Sequence, residues 1–522
     1  MNSATSYKTD SGKPLILAAV CLAALVLPLA FSGGAVATPA IGRDLGGSAS
    51  ALTWITNAFM LSFGSLLMAA GALADQFGRK RLFVSGLGGF IVISLAMSFA
   101  PSVAWLDVLR AMQGVCAAAS LASGSAALAQ EFDGHARTRA FSMLGTSFGI
   151  GLAFGPLMAG ALITHFGWRA IFLAIATIGA LAFIFGVPRM RETRDPAASG
   201  LDWPGTITFT GTLALFTLAV IQAPQSGWSS PLVAGMLAAS ALLLAAFVLV
   251  EMRVARPMLE LSLFRYPRFV GVQVLPVGTC YCYIVLIVML PLRFIGVEGL
   301  SEMDAGLLMI ALSAPMLVVP MLAASLTRWV SAGVLSGIGF LIAAAGLYWL
   351  SGVDMGASRE SVILPMLVTG IGAGMPWGLM DGLSVSVVPK ERAGMASGIF
   401  STTRVAGEGI ALAIVTALLA GLAQSSLARL VPHADPATVA HLAEAAQRLT
   451  TGDLAQAVAS LPHVGRHELA LIYTHAFTRL LHVLIAITLL SAFASFAFLS
   501  RTGSRDERRG EPQCETTESA AV

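Results

Sequence analysis

Long apolar runs follow one another along almost the whole of this 522-residue chain, each closed by a short polar interruption. Runs of about 18 or more apolar residues are long enough to cross a bilayer as helices. Fourteen such spans are predicted, near 14–38, 51–72, 82–100, 104–129, 140–163, 169–187, 204–222, 231–250, 269–292, 304–326, 333–350, 361–388, 394–422 and 474–500. The first carries "AVA" at 35–37, which mimics a signal-peptide cleavage site. Its apolar stretch exceeds the usual cleaved core and thirteen further spans follow, so it reads as retained. The strict two-residue alternation of a membrane β-barrel is absent. The expected fold class is an all-α polytopic membrane protein with fourteen transmembrane helices.

Composition agrees: 56% of residues are hydrophobic and 11% charged, where soluble proteins carry about 25% charged residues. A net charge of +3 gives no reason to expect a nucleic-acid partner. The five cysteines form no spacing typical of a metal or disulfide framework, and Cys280 and Cys282, two apart on a helix, point away from each other. No metal and no cofactor is expected. Basic residues sort by side. With the N-terminus inside, 21 of the 31 Lys and Arg fall on the cytoplasmic side, eight fall outside, and Arg110 and Arg404 lie within spans. Both termini are therefore expected in the cytoplasm. Four Lys against 27 Arg, with abundant Ala, suggests a GC-rich bacterium and its cytoplasmic (inner) membrane. The connection 424–472 lies outside on this reading, and its stretch 436–460 is patterned for a short amphipathic helix. The tail 501–522 is polar and expected to be disordered.

One polar knot stands out in so apolar a chain: "GALADQFGRKR", residues 71–81, in the cytoplasmic turn between spans 2 and 3. Arg79, Lys80 and Arg81 alone would serve as a positive-inside anchor. Asp75 between Gly71 and Gly78 suggests more, a latch whose acid accepts from a neighbouring helix end in one state and lets go in another. This stretch resembles the signature of the major facilitator superfamily, through Gly71, Leu73, Asp75, Gly78, Arg79 and Lys80. "LRAMQGVCAA" at 109–118 resembles the family's span-4 pattern through Arg110, Gln113 and Gly114. "GTSFGIGLAFGPLMAGAL" at 145–162 is similar to the antiporter span-5 pattern through Gly145, Gly149, Gly155, Pro156 and Gly160. With "LDWPG" at 201–205 opening span 7, the whole resembles the fourteen-span drug:proton antiporter branch.

The resemblance implies two six-helix bundles, 1–188 and 267–500, joined by a linker 189–266 that holds two inserted transmembrane helices. It implies a monomer that takes a small organic substrate and protons, with a periplasmic adaptor and an outer-membrane channel as candidate partners. It also implies that Arg110 takes part in proton coupling. One departure weakens the match: aligning Pro39 with the family's span-1 proline puts Ala30 where that branch usually carries an acid. The span-5 glycines read either as tight helix packing in lipid or as a sliding seal between the bundles.

Ionisable groups deep in a membrane cost about 2.5–3.5 kcal/mol each on insertion scales and are kept where they act. Arg110, Asp381, Arg404 and Glu408 are such groups. Spans 4 and 12 occupy matching places in the two bundles, so Arg110 and Asp381 are expected to face one aqueous cleft, with Gln113 beside the first. Trp377 lies one turn from Asp381 on the same face. Arg404 and Glu408, four apart, can pair on span 13, as a structural ion pair or with Glu408 as a proton site. Asp381 is the other candidate for a proton or a cationic substrate, or a polar contact at the cytoplasmic rim. The function expected is proton-coupled efflux of amphipathic organic compounds by alternating access. The alternative is a proton symporter importing a small nutrient or siderophore. An enzyme is not expected, because no HExxH, GxSxG or P-loop occurs.

Overall fold

The computed structural model describes residues 13–132, 134–194, 202–254, 257, 259, 261–354, 356, 358–388, 393–429, 436–461 and 464–500. The expected disordered tail 501–522 lies outside them, as do Lys390 and Arg392 of the loop after span 12. Among the described residues there is no strand, and fourteen helices are long and apolar enough to cross a membrane. Their ends run beyond the predicted limits. Span 1 is Lys13–Leu45 and span 14 is Arg466–Leu499, because both helices continue through the interface into polar sequence. Several starts carry a serine cap: Ser48, Ser102 and Ser301 accept from the N–H of Ala51, Trp105 and Asp304 at 3.2, 3.4 and 3.0 Å. Each such cap contributes about 1 kcal/mol.

The packing is a repeat. Span 1 lies against spans 5 and 6, span 2 against span 4, and span 3 against spans 4 and 6. The same five pairings recur eight spans later: 9 with 13 and 14, 10 with 12, and 11 with 12 and 14. The two halves meet along two seams that are equivalent under the same shift, span 2 on span 13 and span 5 on span 10. Spans 7 and 8 pack on each other, and span 7 leans on the first of these seams. This is the two-bundle architecture with two inserted helices.

Two spans are irregular. Span 10 breaks into Glu302–Ser313 and Pro315–Leu326, where Pro315 removes a backbone donor. Span 9 widens into π-type turns at Cys280–Ile284 and Leu292–Val297. The second of these draws Arg293 into the protein (3% exposed), where it pairs with Glu298 at 2.7 Å.

The amphipathic helix predicted within 436–460 is two helices, Pro436–Thr450 and Leu454–Ser460, broken at Gly452 with φ +74°. They sit over one end of the bundle, here the insert end; the end with the 71–81 turn is the latch end. At the insert end the halves are clamped. Arg43 of span 1 pairs with Glu302 of span 10, and Arg448 of the insert donates to the Gly47 carbonyl at 2.8 Å. Within the second half, Gly296 of span 9 and Gly452 of the insert lie backbone to backbone with no room for a Cβ. Toward the latch end the halves part and the Asp381 side chain is 55% exposed.

Candidate functional site

The most polar point of the cleft between the halves is Arg404 on span 13, whose side chain is only 12% exposed. Its guanidinium is ringed by aromatic faces from both halves: Phe148 of span 5 at 5.4 Å, Trp377 of span 12 at 5.8 Å and Phe400 of its own helix at 5.9 Å. Asp381 closes the ring, with its carboxylate oxygens accepting from Arg404 Nη1 at 3.3 and 3.5 Å. Tyr283 of span 9 packs on Trp377 with ring centres 6.3 Å apart. A cation over several π faces, with one flank held by a partly hydrated acid, can exchange that acid for another polar group without being stripped bare.

The structure corrects the expected pairing of Arg404 with Glu408. Four-residue spacing allows that pair, but Arg404 turns into the cleft toward Asp381, and Glu408 lies 4% exposed on the wall behind. Among the described residues no hydrogen bond or ion pair reaches Glu408. The two acids are thus unlike: Asp381 is paired and wet, Glu408 unpaired and enclosed.

Arg110 also departs from expectation. It does not face Asp381 across a shared cleft. Wholly buried inside the first half, it donates to the carbonyls of Ile55 at 2.7 Å and Ala30 at 3.1 Å and to Gln113 Oε1 at 2.8 Å. Gln113 passes the chain on to Ser94 at 2.8 Å, and the Phe59 ring lies 4.7 Å from the guanidinium carbon. The physical reason is visible at Ala30. With no acid on span 1, only backbone oxygens are offered, and a cation held by carbonyls of two helices is drawn into its bundle. Two ionisable groups escaped the sequence reading. Asp107, one turn from Arg110 with a buried, unpartnered Oδ1, lay inside the predicted limits of span 4 and was legible there. Arg293 lay one residue beyond a predicted span end, and only the widened helix buries it.

The span-5 glycines divide their work. Gly145 and Gly149 face the cleft, where a Cβ would lie 3.9 Å from Asp381 Oδ2 and from Trp377 Nε1. Gly155 packs within its own half on Ser32, while Gly160 and Pro156 touch span 10 of the other half at Glu302 and Gly306.

At the latch end, Gly78 takes φ +113°, a conformation glycine alone adopts freely. Asp75 accepts from Arg79 at 2.7 and 3.0 Å, one turn away, and not from a neighbouring helix end as expected. That cap comes from Glu192, after span 6, which accepts from the backbone N–H groups of Lys80 and Arg81 at 3.2 Å each. Gly71 has open space around it.

The sequence pattern of the Major Facilitator Superfamily matches residues 20–412. The chain belongs to that family. It is a multi-pass small-molecule transporter, and its relatives include named exporters. It is 30% identical over 407 residues to a tetracenomycin C resistance and export protein of Streptomyces glaucescens, covering 77% of this chain and 75% of that one. It is 32% identical to a cephamycin export protein of Amycolatopsis lactamdurans, covering 82% and 89%. A multidrug resistance protein of Mycobacterium tuberculosis is 30% identical, covering 75% and 73%. Among solved structures, a bacterial homologue of the human lysosomal transporter Spinster superposes with a TM-score of 0.62 at 15% identity, covering 94% of this transporter and 97% of that chain. That likeness is one of fold.

Proposed function

We propose that this transporter expels amphipathic, aromatic organic compounds in exchange for protons, by alternating access of the halves 1–188 and 267–500. The latch end, with its cluster of bases, faces the cytoplasm of a bacterial inner membrane, and the insert end faces outward. The observation that carries this reading is the pair of unlike acids beside an aromatic ring. Asp381 opens to solvent at the latch end, Arg404 stands behind it among the buried rings of Phe148, Trp377 and Phe400, and Glu408 lies one turn behind Arg404. A flat aromatic compound entering from the cytoplasm stacks on these rings and competes with Asp381 for Arg404. Glu408 is a carboxyl whose charge is costly where it sits, so it takes a proton when the outer side supplies one. Neutralising it changes the field on Arg404, loosens the substrate and favours outward release. The named exporters among the relatives support the direction, and the absent span-1 acid fits cargo broader than organic cations.

The test uses proteoliposomes with an imposed pH gradient and a panel of fluorescent aromatic dyes (ethidium, rhodamine 6G and Hoechst 33342). The wild type drives dye against its gradient toward the acidic side. Asp381→Asn with Glu408→Gln abolishes this while leaving dye exchange without a gradient. Normal uphill export by the double variant sinks the assignment, and movement away from the acidic side identifies an importer.

A further inference from the structure

We infer that the insert end holds a hydrated path through which outside water delivers protons to Glu408. This rests on the proton-exchange reading above and adds the route. Two adjoining cavities lie in the seam between spans 2 and 13, each of about 20 Å³. Both border Thr53, Thr416 and Thr450, so these three side chains stand between them, and we take the two as successive steps of one passage. The first begins near the surface at Ala49 and Ser50, the start of span 2. The second reaches Asn57 and Leu412. A volume above about 10–15 Å³ holds a water molecule if polar partners are present, so each cavity has room for one.

The partners are unusual. Asn57 is 1% exposed, and both its amide nitrogen and its amide oxygen lack any hydrogen-bond partner. Leaving both atoms bare is costly, and the second cavity, which Asn57 lines, has room for a partner. Around them Thr53, Thr416 and Thr450 each spend their hydroxyl proton on a carbonyl of their own helix, at 2.9, 2.8 and 2.7 Å. Their oxygens therefore face the cavity as acceptors only. A guest must donate to several oxygens and accept once from Asn57, which describes water or its protonated form.

The passage points at Glu408. Glu408, Leu412 and Thr416 are spaced by four on span 13 and share a face, and the second cavity is lined by the latter two. Depth agrees on the facing helix. Met60 of span 2, one turn below Asn57, packs against Gly409. The inner cavity thus ends at Leu412, one helical turn along span 13 from Glu408, about 5.4 Å of backbone rise. An excess proton passed along these waters ends as the hydroxyl proton of a neutral Glu408 and leaves to the cytoplasm when the cleft, open at the latch end, extends to that enclosed carboxyl. The outer insert is the roof of this path, since Gln447 and Thr450 border its outer cavity.

X-ray radiolytic footprinting in water tests the hydration, because radicals born from bound water oxidise adjacent side chains. Met289 borders the inner cavity; Met309, equally buried, borders neither. Met289 should be oxidised at least tenfold faster than Met309. Asn57→Leu should remove that excess and Asn57→Ser restore it. In the dye-loaded proteoliposomes, Asn57→Leu and Thr416→Val should each slow dye-dependent proton uptake at least tenfold, with dye binding unchanged. Equal oxidation of the two methionines in the wild type overturns the path. So does undiminished proton uptake by both variants, which leaves the exchange reading standing. No dye-dependent proton movement in the wild type overturns the exchange reading and the route with it.

Discussion

Arg110 and Arg404 both sit in the membrane interior of this protein, one in each half, and their surroundings are opposites. Arg110 is sealed inside the first bundle and held by the carbonyls of Ile55 and Ala30 together with Gln113. Arg404 stands at the cleft, held by one half-exposed acid and by aromatic faces from both bundles. A cation bonded to backbone has nowhere to go, because releasing it would strand a buried charge. A cation bonded to a wet side chain can change partners at little cost. The first arrangement suits a fixed brace among spans 1, 2 and 4, and the second suits a site that binds and lets go. Residue type and depth in the membrane are alike, so the partner decides the role.

The sharpest way to break this contrast is to remove the brace. Arg110→Leu leaves the buried Gln113 Oε1 without its donor and removes the link among spans 1, 2 and 4, and should cost about 1–3 kcal/mol. The expected result is loss of monodisperse protein on size exclusion, whereas Arg404→Leu should purify as the wild type and fail only in export. If Arg110→Leu folds and merely loses proton coupling, the brace is wrong and the first arginine belongs to the mechanism. Next in size is the cleft wall. A Cβ at Gly149 would only touch Trp377 at 3.9 Å, so Gly149→Ala should export dye within twofold of wild type. Gly149→Leu should fill the space before the ring and cut export about tenfold, with Tm unchanged. The smallest effect belongs to the latch end. Glu192→Gln weakens a charge-assisted cap on span 3, worth about 0.3–1 kcal/mol, and should lower Tm slightly without changing dye affinity.

The hydropathy pattern showed all fourteen spans, because a bilayer demands long apolar helices wherever the chain crosses; the two-bundle plan came from the family resemblance. It could not show partners. The spacing of Arg404 and Glu408 is an honest helical signal, and it lost to Asp381, brought alongside from span 12 by packing that no local pattern encodes. Arg110 lies within a span as expected but turns into its own bundle, for its direction depends on which carbonyls spans 1 and 2 present. Glu192 was invisible as a cap, since it lies more than a hundred residues from the helix end it serves. Asn57 raised no signal at all. A lone amide in an apolar helix means little until its neighbours leave it bare.

Proton release on dye binding tests the central claim most directly. Purified protein in weakly buffered detergent solution, with a pH indicator, is mixed with the dye that the vesicle assay shows it to move. The account predicts that the wild type releases protons as the dye displaces Asp381 from Arg404 and favours ionised Glu408, and that Asp381→Asn with Glu408→Gln releases none while still binding. Release from the double variant equal to that of the wild type would contradict it.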